Sequence, residues 1–139
     1  MRIAVTRRYG FPAAHVLARP EWPPARNERV YGKCANPAGH GHDYGVEVTV
    51  AGPLDPGSGR VVDPAWLDAL VRERVIERLS HRLLNDDPAF REAVPTAENI
   101  ARFVEGALEG PIAAGSRARL VRVRILETPR NVFETGELR

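Results

Sequence analysis

Between residues 43 and 51 apolar and polar side chains alternate, with Tyr44, Val46, Val48 and Val50 on one parity and Glu47 and Thr49 on the other. That period of two is the mark of a strand with one buried face. Residues 120–127 repeat it, with Val121, Val123 and Ile125 on one face. Residues 3–11 alternate less regularly, Ile3, Val5, Tyr9 and Phe11 sharing a parity. Pro12 is expected to bend or end that strand, and a loop rich in Pro and Arg to run on to Tyr31. A short fourth strand is expected over 131–135.

The period changes after the turn-rich stretch 52–59. Asp63 followed by Pro64 is a helix start, a capping carboxylate with proline at the first helical position. The helix should reach about Leu79, burying Leu67, Leu70, Val71, Val75 and Leu79. Residues 85–95 read as a loop with a short turn. Thr96 caps a second helix carrying Ile100, Phe103, Val104, Ala107 and Leu108, which Gly110 and Pro111 should stop. The order strand, strand, helix, helix, strand, strand suits an α+β domain, an antiparallel sheet with both helices packed on one side.

Composition narrows the class without naming it. The 139 residues fit one domain, residues 1–139, and 43% hydrophobic with 27% charged residues is ordinary for a globular protein. No apolar run approaches the length that spans a bilayer, and the N-terminus has no signal-peptide pattern. The one cysteine, Cys34, excludes an intramolecular disulfide and points to a reducing, cytoplasmic setting. Net charge is only +2, and no basic run is interleaved with aromatics, so neither nucleic acid nor membrane is expected as a partner. A phosphorylated small molecule remains compatible with that charge.

Three of the four histidines change the picture. His40 and His42 flank Gly41 just before the second strand, and their i, i+2 spacing puts both imidazoles on the face of Tyr44 and Val46. His15 follows the first strand, so pairing of the two strands brings it to the others. Three neutral imidazoles with one open position form the donor set of a catalytic Zn²⁺. Cys34 is a fourth ligand, a group acting beside an open metal, or an inert buried residue; spacing does not separate the three. Lys33 beside it is expected to favour the thiolate. Glu127 shares the inward parity of its strand, where a carboxylate needs donors.

The run Cys34-Ala35-Asn36-Pro37-Ala38-Gly39-His40-Gly41-His42-Asp43-Tyr44, with Phe11-Pro12-Ala13-Ala14-His15 upstream, resembles the 6-pyruvoyl-tetrahydropterin and 6-carboxy-tetrahydropterin synthase family. The likeness continues through Gly59-Arg60-Val61-Val62-Asp63, Leu79-Ser80-His81-Arg82-Leu83-Leu84-Asn85-Asp86, Pro95-Thr96-Ala97-Glu98-Asn99 and Glu127-Thr128-Pro129. It implies a tunnelling fold, a four-stranded antiparallel sheet with two helices between its second and third strands. It also implies a homo-hexamer, a dimer of trimers with active sites between subunits.

By the same resemblance, His15, His40 and His42 hold zinc and Cys34 takes a proton from the substrate side chain. His81 relays that proton, and Glu127 anchors the pterin ring. Thr96 is a further donor to the pterin, although capping its helix explains it, and Lys33 is a candidate for the triphosphate. The implied substrate is 7,8-dihydroneopterin triphosphate, on the route to tetrahydrobiopterin or, with loss of acetaldehyde, to deazapurines such as queuosine. A different pterin substrate, or a non-catalytic zinc- or pterin-binding protein, are the alternatives. One position departs from the family: Ser80 stands where aspartate usually precedes the relay histidine, and serine carries no charge to stabilise an imidazolium.

Overall fold

In the computed structural model, which describes residues 2–137, four strands form one antiparallel sheet in the order β1-β2-β3-β4. They are β1 (Ile3–His15), β2 (His40–Gly52), β3 (Arg119–Thr128) and β4 (Asn131–Glu134). Between β1 and β2 lies α1 (Pro24–Tyr31), and between β2 and β3 lie α2 (Pro64–Val71), α3 (Glu77–Leu79) and α4 (Ala97–Gly115). The α+β architecture and element order expected from the patterning are those of the molecule. No helix among the described residues is long and apolar enough to cross a membrane.

α2 and α3 are joined without a break by a π-helical turn, Arg72–Ile76, into one rod over 64–79. Asp63 caps it by accepting from the Ala65 N–H. Leu67, Val71, Val75 and Leu79 are all fully buried and spaced by four. Steps of four drift around a 3.6-residue helix, and the wide turn takes up part of that drift. The Arg7 guanidinium forks onto Asp68, at 3.0 and 2.6 Å, and the Tyr9 hydroxyl donates to the same carboxylate at 2.7 Å, pinning the rod to β1.

Two boundaries differ from expectation, each for a physical reason. β1 passes through Pro12, because the Pro12 carbonyl points to the outer edge, where it accepts from the His81 N–H at 2.6 Å. Its nitrogen faces the same way, so no bond to β2 is lost. α4 passes through Pro111 to Gly115, because Ile112 extends the buried stripe of Ile100, Val104 and Leu108. Gly115 lets the Trp66 ring come so close that a Cβ there would overlap it. The Pro/Arg-rich segment contains a helix, α1, whose one buried residue is Asn27. The segment 85–95 holds two short 3-10 turns, Leu84–Asp86 and Pro88–Phe90.

β3 also carries a correction. A bulge shifts its register so that Val50 pairs with Leu120 while Val48 pairs with Val123. Leu120 therefore packs toward the core, and Val121 is 38% exposed instead of sharing the face of Val123 and Ile125. On the sheet's other face Glu47 is buried between Arg8 and Arg124, and Arg124 also reaches Glu134. The arginines of β3 thus form a cross-strand ionic ladder, more than a plainly solvated face.

Candidate active site

The hairpin of β1 and β2 builds the site. His15 pairs with His40 and Ala13 with His42, so the three imidazoles lie on the face that carries Phe11 and Tyr44. Ring centroids are 5.0 Å apart for His15 and His42, and 4.6 Å for His40 and His42. Cys34 comes from a 3-10 turn, Gly32–Ala35, that follows α1. Its carbonyl accepts from the Leu17 N–H at 2.7 Å, which fastens the turn to the chain just after His15. Asn85 clasps both backbone groups of Val16, its side-chain oxygen and nitrogen each at 2.8 Å. Asn85 lies within the family-like run, but its patterning does not foretell a clasp.

Donor atoms of His15, Cys34 and His42 all lie within 4.8 Å of one another. His40 stands at the rim with an exposed ring, 6.4 Å from His15 between centroids, and is not one of the three that converge. The Nε2 atoms of His15 and His42 are both buried and have no hydrogen-bond partner among the described residues. A buried polar nitrogen is costly to leave bare. Two of them aimed beside a thiol are the donor chemistry of a zinc site, and the residues fit that ion. Each ring is also biased toward its neutral, ligating form. Burial lowers the His15 pKa, and burial lowers that of His42 against the opposing charge of Glu127.

Behind the donors, the His15 Nδ1 lies 2.9 Å from the Pro95 carbonyl. Thr96, the next residue, caps α4 by accepting from the Asn99 N–H at 3.2 Å, and no contact with the site is needed to account for it. Glu127 is half-buried at a second bulge of β3, unpaired with β4. Behind burial, its charge is the second cause that pushes the pKa of Cys34 and Tyr44 up, and it opposes the lowering at His42, so it acts on the same site.

Lys33 does not act as expected. Its chain lines a groove with Asn27, Asn36 and Pro37, away from the histidines. The Cys34 thiol is pushed up, first by burial and then by Glu127, with no offset from the lysine. Glu127→Gln should therefore speed alkylation of Cys34 by iodoacetamide in metal-free protein at pH 8, since the thiolate fraction rises; an unchanged rate would place Glu127 too far away to act.

His81 is carried by the segment that follows α3. It sits with a left-handed backbone, φ 59°, where the segment after α3 runs along the outer edge of β1. It lines a cleft of about 530 Å³ with His42, Asp43 and Arg82, and Cys34 is not part of that lining. The Ser80 hydroxyl donates to the Ile76 carbonyl. Asp87 is engaged by Arg78 at 2.7 and 2.9 Å and is not a free substitute for the missing aspartate.

An α+β domain in which a β-hairpin brings two imidazoles to a thiol, with a carboxylate alongside, offers a set of donors that could hold a metal ion. The family model for 6-pyruvoyl tetrahydropterin synthase matches residues 4–137, and the chain belongs to that family. It is 37% identical over 129 residues to the 6-pyruvoyl tetrahydrobiopterin synthase of Homo sapiens, covering 92% of this chain and 87% of the human one. The Drosophila melanogaster protein of that name is 36% identical over 130 residues, 93% of this chain and 76% of its own. The structure of Caenorhabditis elegans 6-pyruvoyl tetrahydropterin synthase superposes with a TM-score of 0.90 at 34% identity, covering 99% of this chain and 97% of that one.

Proposed function

We propose that the protein is a zinc-dependent, triphosphate-eliminating lyase acting on 7,8-dihydroneopterin triphosphate. The observation that carries the reading is the convergence of donor atoms of His15, Cys34 and His42 within 4.8 Å, in a chain of this family whose His15 and His42 Nε2 atoms are bare among the described residues. His15 and His42 would hold the metal, with His40 completing the set by turning its exposed ring inward. The ion supplies Lewis acidity, polarising side-chain oxygens of the substrate so that the adjacent carbon-bound protons become acidic.

The chain's own residues do the rest. Glu127 accepts hydrogen bonds from the amino and ring N–H groups of the pterin, a planar pair of donors that a carboxylate matches. Cys34 stands next to the donors and takes the proton from the side-chain carbon. Burial and Glu127 hold its thiol up, so its activation depends on positive charge arriving close by. With the proton removed, the electron pair expels the triphosphate, and tautomerisation passes two side-chain hydrogens to the pterin ring, which is reduced as the side chain is oxidised. His81 lines its cleft with His42 and without Cys34, an arrangement compatible with sites completed by a second copy in a dimer of trimers. Lys33 would then meet the triphosphate only at the rim.

The test is incubation of the purified protein with 7,8-dihydroneopterin triphosphate, with products read by mass spectrometry. Release of triphosphate with a retained three-carbon side chain marks the pyruvoyl product; loss of acetaldehyde marks the carboxy product. Either should stop on treatment with a zinc chelator and return with added zinc. Metal-loaded protein that leaves the triphosphate intact would sink the reading.

A further inference from the structure

We propose that Tyr44 is a positioning residue of the metal site, its hydroxyl acting with the Pro95 carbonyl to present the His15 Nε2 as a donor. This rests on the metal reading above. Tyr44 is 1% exposed, and its ring stacks on Phe11 at 5.1 Å between centroids. Phenylalanine would fill that space equally well, so the hydroxyl needs its own explanation, since a buried hydroxyl is costly without a partner. Among the described residues its one hydrogen-bond partner is the His15 Nδ1, at 3.1 Å.

The polarity of that contact follows from the other partner. A carbonyl only accepts, so the Nδ1 facing Pro95 at 2.9 Å must carry the ring proton. The neutral ring then has a lone pair on Nε2, the atom that is buried and without a partner. The Tyr44 oxygen takes a second share of the same N–H. Were the phenol to donate to Nδ1, the ring proton would move to Nε2 and the Pro95 carbonyl would face a lone pair. Two acceptors on separate elements, β2 and the residue before the α4 cap, restrict rotation of the ring as well as fixing its tautomer. The Tyr44 ring also meets His42 edge-on at 5.3 Å, so one side chain packs against both converging imidazoles.

Tyr44→Phe keeps the ring and removes the oxygen. Zinc affinity, measured on the apo protein by competition with a chromophoric chelator, should fall by about tenfold, at the low end of the loss usual for an outer-shell partner. The visible bands of the cobalt-substituted protein should shift, while the thermal midpoint of the apo protein stays close to that of the wild type. Affinity and cobalt spectrum equal to wild type would overturn the proposal and leave Tyr44 as core filling. Independently, long-range ¹⁵N–¹H spectra of histidine-labelled wild type should show His15 protonated on Nδ1; protonation on Nε2 would overturn it too. A wild type that binds neither ion would remove the metal reading itself, and this proposal with it.

Discussion

Cys34→Ala is expected to keep its zinc and lose turnover, by about 10²–10⁴-fold, the range typical of removing a positioned general base. The thiol lies within 4.8 Å of the donor atoms of His15 and His42, near enough to serve a substrate held there or to ligate the ion itself. The two roles predict different metal contents. A base leaves zinc stoichiometry unchanged in the variant, and metal analysis beside product formation reads both quantities in one preparation. Loss of zinc together with activity would make cysteine the missing ligand and close the site. Full activity would reduce Cys34 to a bystander.

His15→Ala should do the reverse and empty the site. His15 is fully buried and supplies one of the two bare Nε2 atoms, so no water or neighbouring side chain replaces it easily. Zinc affinity should fall by more than the roughly 10–100-fold usual for an outer-shell change. The variant also strands the Pro95 carbonyl, a loss of about 1–3 kcal/mol for a buried group left unsatisfied. Isothermal calorimetry and thermal unfolding of the apo protein separate the two effects. Undiminished zinc binding with a lowered midpoint would mean His15 is structural only.

Much of this was legible in the chain because apolar positions recur with a clear period. β2 alternates cleanly, and the Asp63-Pro64 and Thr96 starts place both long helices. Parity puts His40 and His42 on the face of Tyr44, although His40 ends exposed at the rim. What stayed hidden lacks a local signal. α1 buries only Asn27 and has its hydrophobic residues, Ala25, Val30 and Tyr31, at its two ends, so no apolar stripe announces it. The bulge at Val121 depends on how β3 meets β2, and alternation along one strand cannot register an inserted residue. Pro12 and Pro111 were misleading because the tolerance of a missing N–H is decided by what lies opposite it. Pro95 and Tyr44 act on His15 through contacts spanning 80 and 29 positions, which no reading of neighbours reveals.

The bond between His15 and Pro95 carries one further consequence, for the order in which the molecule is made. It joins the end of the first strand to the start of the last helix. A nascent chain with both strands of the hairpin already paired would have His15 beside Tyr44 but without its carbonyl acceptor. His15 is therefore held from both sides only after that helix has docked, late in a fold rich in distant contacts. Should the site take a metal, its full affinity would come only with the finished fold.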